Sequence, residues 1–181
     1  MGEIKSLFIY YQLAYEQLMR MNSKLQIFIP TLPHLREEII ERTKTWKMDT
    51  LIIMDNKQME NYFLKTKIAL VCSGTASLEI AKRGIPQLVI YKLNYFTELI
   101  ARFFIRIKFA NILNILENKM IIPEITNSNL KKNAFIKQFN KLLVDDKSNS
   151  KQIEKVNKAI CKIDLLKPPC EIAVEGIKKF L

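Results

Sequence analysis

The sequence predicts an α/β fold in which an open parallel sheet is flanked by helices on both faces. Three observations carry that expectation. Short apolar runs of four or five residues recur at Leu25–Ile29, Leu51–Met54, Ile68–Cys72 and Gln87–Tyr91. Segments with apolar residues at three- and four-residue spacing lie between them, the period of an amphipathic helix. Proline and glycine punctuate the joins, at Pro30, Pro33, Gly84 and Pro86. Runs that are mostly apolar, and do not alternate, suit strands covered on both faces, so the pattern reads as parallel βαβ units and a Rossmann-like sheet.

In chain order, Leu7, Tyr10, Tyr11, Ala14, Leu18 and Met21 mark a first helix over Leu7–Met21 with no strand before it. The run Leu25–Ile29 ends at Pro30, and Pro33–Trp46 reads as a helix with proline at its start. After Leu51–Met54, a helix over Asn56–Lys65 follows, with Asp55 as its N-cap. The strand Ile68–Cys72 leads through Ser73-Gly74-Thr75 into a helix reaching Arg83, which Gly84 ends, and Pro86 opens the strand Gln87–Tyr91. Tyr95–Lys108 reads as an aromatic and basic helix, and Phe109–Ile125 as a strand or loop followed by a short turn. Leu130–Leu143 is helical, Asp145–Ser150 a polar connector, Lys151–Ile163 a further helix, and Pro168-Pro169 a break before a last helix, Glu171–Leu181.

Composition narrows the function classes. With 49% apolar and 26% charged residues, the chain can build a core, which excludes disordered and fibrous classes. The net charge of +11 favours anionic partners such as nucleotides, nucleic acid or acidic lipid. Much of that excess is lysine scattered along the chain, as a bias in composition would leave it. Cys72, Cys161 and Cys170 are too widely spaced for a disulfide framework or a metal site, so a reducing, cytoplasmic setting is expected. No signal peptide is expected at the start, and no apolar run is long enough to span a bilayer. The lone His34 has no partner at metal-ligand spacing; no metal and no cofactor are expected.

The segment Ser73-Gly74-Thr75-Ala76-Ser77-Leu78-Glu79 puts a small turn between a strand end and a helix start. Free backbone N–H groups and the helix dipole at such a turn attract an anion, and open α/β sheets bind ligands outside these strand ends. Ser73 and Thr75 can donate to phosphate oxygens, and Gly74 allows close approach. Glu79, about one helical turn beyond Thr75, can accept from sugar hydroxyls. Taken alone, such a turn often does no more than begin a helix, and Glu79 is equally consistent with a solvated helix residue.

The same residues, with Gly84-Ile85-Pro86 and Val89-Ile90-Tyr91-Lys92, resemble the nucleotide-binding stretch of lipid-A-disaccharide synthases. Ala101-Arg102, Asn114 and Ile122-Pro123-Glu124 follow in that family's order, and Gly2-Glu3-Ile4 resembles the tail of its Gly-Ser-Arg-x-x-Glu-Ile loop. More loosely, the region of Pro169 and Ala173 also fits. This resemblance implies the C-terminal half of a GT-B glycosyltransferase. Such an enzyme joins UDP-2,3-diacylglucosamine to 2,3-diacylglucosamine 1-phosphate, releasing UDP. Carried over position by position, Ser73, Gly74, Thr75 and Glu79 would meet the UDP moiety, and Asn114 would lie near the donor's phosphate and sugar. Residues 1–167 would form the UDP-sugar-binding domain and residues 168–181 a helix returning towards the first domain.

Departures from the family pattern are equally informative. The family's Gly-Ser-Arg loop would fall just before Met1, and its first domain, with the general base, lies outside this sequence; the chain is therefore expected to be inactive alone, with a separately encoded N-terminal half, a short gene model and a degraded gene as open readings. Asn118-Lys119-Met120 stands where the family has Gly-Arg-Glu. Within Tyr95–Lys108, an apolar face bearing Phe96, Phe103 and Phe104 beside Arg102 and Arg106 suits contact with an anionic membrane, or a core-packed helix with snorkelling basic side chains. A peripheral location on the cytoplasmic face of the inner membrane follows from the resemblance, and a homo-oligomer is an open expectation. The competing class is a non-catalytic basic α/β module that binds membrane or nucleic acid.

Overall fold

The computed structural model describes residues 2–21, 25–72, 74–92, 109–126 and 130–164. It opens with helix α1 (Gly2–Arg20), whose stripe of Leu7, Tyr10 and Ala14 is buried as the periodicity predicts. Strand β1 (Ile27–Pro30) follows, then a 3-10 turn, Pro33–Leu35, helix α2 (Arg36–Thr43), strand β2 (Thr50–Ile53) and helix α3 (Asn56–Phe63). The helix expected over Pro33–Trp46 is thus divided, and α2 stops short of Trp46. That indole leaves the helix direction to stack on Tyr15 at 4.7 Å, and its Nε1 donates to Gln12 Oε1 at 2.7 Å. Asp55 caps α3 as expected, its Oδ1 accepting from the Gln58 N–H at 2.8 Å.

Strand β3 (Ala69–Cys72), helix α4 (Thr75–Lys82) and strand β4 (Gln87–Tyr91) come next. Gly84, at φ +67, takes the left-handed conformation that ends α4. A short helix α5 (Ile112–Leu116) and strand β5 (Glu124–Thr126) occupy the stretch read as strand or loop. Helices α6 (Lys132–Val144) and α7 (Asp146–Asp164) complete the described chain. The polar connector expected at Asp145–Ser150 shrinks to Asp145, because its Oδ1 accepts from the Ser148 N–H at 2.9 Å and starts α7 at once. The expected helices at Tyr95–Lys108 and Glu171–Leu181, and with the latter the proposed unit 168–181, lie outside the described residues.

Every strand pairing is parallel. Among the described residues the strands form two sheets, β1-β2 and β3-β4-β5, where one continuous sheet was expected. β4 is central and Gln87 to Ile90 are buried. Leu88 and Ile90 pack on one side with Leu7, Tyr10, Phe135 and Phe139 from α1 and α6. Val89 packs on the other with Ala81, Leu113, Val156 and Ala159 from α4, α5 and α7. Helices therefore cover both faces, which is why this strand is apolar without alternation.

Tyr10 joins α1 to the other layer: its ring meets Phe135 edge-on at 5.3 Å and its hydroxyl donates to the Leu130 carbonyl. Burial raises its pKa above the ordinary value of about 10. The neutral form is the one the fold favours, so this contribution is present below the unfolded pKa and lost as pH rises through the higher folded one. Tyr10→Phe is expected to lower stability by about 1–2 kcal/mol at neutral pH. It should also flatten the loss of stability above pH about 10, both read by urea unfolding.

Candidate functional site

The turn between β3 and α4 is built by backbone conformation. Gly74 has φ +122 and ψ −156, a region L side chains rarely adopt. A Cβ there would meet nothing within 4 Å, so it is conformation and not space that demands glycine. Gly74 is the N-cap of α4, and among the described residues no side chain closes that helix end. Gly74, Thr75 and Ala76 are exposed, so the first-turn N–H groups and the positive end of the helix dipole face solvent. Ser73 lies outside the described residues.

Glu79 is exposed, and its carboxylate has no hydrogen bond or ion pair among the described residues. Thr75 and Glu79 are four residues apart on α4, hence on one side of the helix. The register Cys72↔Ile90 brings the end of β4, with the exposed Lys92, to the same rim as the Gly74 turn. That rim is the carboxyl end of parallel strands, where such sheets bind ligands. The structure thus brings Gly74, Thr75 and Glu79 together.

Asn114 is placed differently. It is 0% exposed, with Nδ2 donating to the Ile122 carbonyl at 2.7 Å and to Glu124 Oε2 at 3.2 Å. Its Oδ1 accepts from the N–H groups of Ile121 and Ile122 at 2.8 and 2.9 Å. Two donors and two acceptor sites are all a carboxamide has, so no capacity is left for a ligand. Asn114 holds a loop, and Glu124 extends the same structure by accepting from the N–H groups of Ala110 and Asn111 at 2.9 and 2.7 Å.

Sequence reasoning missed a buried polar network that sets the position of α4. Ser77 Oγ donates to Gln87 Oε1 at 2.9 Å and accepts from Asn111 Nδ2 at 2.6 Å. Gln87 Nε2 donates to the Ser77 carbonyl at 2.9 Å, and Gln152 Oε1 accepts from the Gln87 N–H at 2.7 Å. One signal was present: Gln87 opens a strand whose next three residues are fully apolar. A polar group there had to find buried partners.

Among the described residues no group of His, Cys, Asp or Glu could hold a metal, and no helix is long and apolar enough to cross a membrane. Cys161 carries an exposed thiol, and the Cys72 sulfur lies 2.9 Å from the Tyr11 hydroxyl. Phe96, Arg102, Phe103, Phe104 and Arg106 lie outside the described residues.

Residues 1–168 match the sequence profile of a family described as lipid-A-disaccharide synthetase. Similar proteins include a lipid-A-disaccharide synthase of Rickettsia bellii, 33% identical over 137 residues, which are 76% of this chain and 35% of that protein. A Rickettsia prowazekii protein of the same description is 28% identical over 168 residues, 92% of this chain and 44% of its own. One from Rhodospirillum centenum is 25% identical over 132 residues, 73% and 33% of the two lengths. The chain therefore spans less than half the length of each of these relatives.

Proposed function

Because the chain belongs to the lipid-A-disaccharide synthetase family, we propose that it is the donor-binding part of a lipid A glycosyltransferase and that the Gly74 turn receives UDP. The whole reaction in this reading joins UDP-2,3-diacylglucosamine to 2,3-diacylglucosamine 1-phosphate, giving the disaccharide and UDP. The observation that carries it is the exposed, uncapped start of α4 directly beyond a parallel strand. A diphosphate placed there would accept from first-turn N–H groups, with Ser73 and Thr75 as further donors. Glu79 would accept from ribose or sugar hydroxyls. Lys92 on the same rim adds a cation suited to the diphosphate.

In the same reading Asn114 acts from inside, holding the segment that carries Glu124 and Asn111, and Asn111 in turn fixes Ser77 of α4. In this reading the chain contributes the donor site, and transfer also draws on the parts of the relatives that its residues do not match. Phe96, Phe103, Phe104, Arg102 and Arg106 are proposed to touch an anionic membrane surface, in keeping with lipid substrates and the net charge of +11. A peripheral location on the cytoplasmic face of the inner membrane accords with that surface. Residues 1–167 would be the donor domain and 168–181 a returning helix.

Calorimetry with UDP tests the site. Wild type is expected to bind, and Glu79→Ala to weaken binding by roughly 10- to 100-fold, the loss of a hydrogen bond to a charged group. Equal affinity in the two proteins would remove Glu79 from the site. Absence of binding by either at high micromolar UDP, together with strong, salt-sensitive and UDP-indifferent adsorption to anionic vesicles, would favour the basic-module reading.

A further inference from the structure

Helix α7 carries its positive charge on one side. At about 3.6 residues per turn, Lys147, Lys151, Lys155, Lys158 and Lys162 fall within an arc of about 80°, and every position of that arc from 147 to 162 is lysine. All five are exposed, whereas Gln152, Val156 and Ala159 of the same helix are buried. With a rise of about 1.5 Å per residue the row is roughly 22 Å long. Lys158 pairs with Glu154 at 2.6 Å and Lys162 with Glu117 at 2.8 Å. Lys147, Lys151 and Lys155 have no ion pair among the described residues. Like charges one turn apart on a helix repel, so the row weakens α7 until anions stand in front of it.

An apolar patch adjoins the row. The Glu117–Lys162 pair ties the end of α5 to α7, and Leu113, Ile121 and Ile122 pack inward with Val156 and Ala159 of α7. With those side chains turned in, Ile112, Ile115, Leu116 and Met120 are left 45% to 59% exposed. Lys119 stands exposed among them. Clustered aliphatic side chains of this kind, rimmed by charge, mark a contact surface. Neither α5 nor α7 has an aromatic residue or an arginine, the groups that stack on bases and grip nucleic-acid phosphates. An anionic bilayer suits both halves: headgroup phosphates face the lysines, and the boundary beneath them takes aliphatic side chains.

We propose that α7 and α5 together form a lipid-docking surface, with Lys147, Lys151 and Lys155 facing anionic headgroups and Ile112, Leu116 and Met120 entering the boundary between headgroups and acyl chains. This surface is separate from residues 95–108 and does not depend on UDP. It also sets an orientation. Ala81 of α4 packs with Val156 and Ala159, so the lipid lies on the side of the sheet that carries α4, while α6, packed with α1 on the other side, faces away from it. On the donor reading above, the helix that begins at the Gly74 turn is then in the layer nearest the lipid.

Co-sedimentation of the 181-residue chain with vesicles tests this, using phosphatidylcholine alone and phosphatidylcholine with about one-third phosphatidylglycerol. Wild type is expected to bind the anionic vesicles about tenfold or more tightly than the neutral ones. Changing Lys147, Lys151 and Lys155 together to Gln should weaken that binding by about 100-fold, at about fivefold per lysine. The same charge removed from the exposed Lys131, Lys132 and Lys137 of the α6 side should cost less than about fivefold. Leu116→Ser should weaken binding by about fivefold to tenfold. Equal losses from the two triple variants would overturn the proposal in favour of bulk charge, and so would vesicle binding untouched by Leu116→Ser or no binding by wild type. Tighter binding to a single-stranded oligonucleotide, lost in the α7 variant, would overturn it in favour of nucleic acid. All the substituted side chains are exposed, so each variant should keep the wild-type circular dichroism spectrum. UDP affinity of the α7 variant should match wild type, which separates failure of this surface from failure of the Gly74 site.

Discussion

Asn114→Leu is expected to lower the unfolding free energy by about 3–5 kcal/mol, a large share of the ~5–15 kcal/mol of a typical domain. Leucine nearly matches asparagine in shape but meets none of its four hydrogen bonds. The Ile121 and Ile122 N–H groups, the Ile122 carbonyl and one oxygen of Glu124 all lose a partner in the interior. Each neutral group left unpaired costs about 1–3 kcal/mol, and relaxation of the loop recovers part of the sum. Chemical denaturation monitored by circular dichroism provides the measurement. A midpoint unchanged from wild type would mean that the loop is held elsewhere and would reopen direct ligand contact by Asn114.

Phe135→Ala should cost about as much, 3–5 kcal/mol, by a different route. The Phe135 side chain is 0% exposed and lies between Tyr10 and Phe139, with ring centroids at 5.3 and 5.7 Å. Its removal opens a cavity where α1, α6 and β4 meet, and surrounding rings can close it only in part. The affected layer is opposite α4. UDP affinity, measured where the variant remains folded, should therefore stay within about twofold of wild type. A large loss of affinity in the folded variant would show that the two layers are coupled.

The fold was legible to the extent that it rests on local rules. β4 falls at Gln87–Tyr91 as read from the sequence, the Asp55 cap and the Gly84 stop are where their side-chain chemistry requires, and the parallel α/β pattern holds. Errors arose where a distant ring intervened and where a local cap was overlooked. Trp46 left its helix for Tyr15, and Asp145 began a helix in a stretch whose polarity suggested a connector. In the candidate site, Gly74, Thr75 and Glu79 lie within one short stretch of sequence, so their proximity follows from the start of α4. The partners of Asn114 lie seven to ten residues away, and those of Gln87 include Gln152, so no local pattern could announce them.

By itself the sequence determined the class of fold, the glycine turn ahead of α4 and the family to which the residues are similar. Those depend on periodicity, backbone preference and short motifs, which act over a few residues and are written in order along the chain. Only the tertiary structure decided that Asn114 is consumed within the protein, that a buried amide network seats α4, and that β1 and β3 are unpaired. Hydrogen-bond satisfaction is a property of groups brought together from across the chain, and which backbone edges remain open is known only after every strand has found its neighbour.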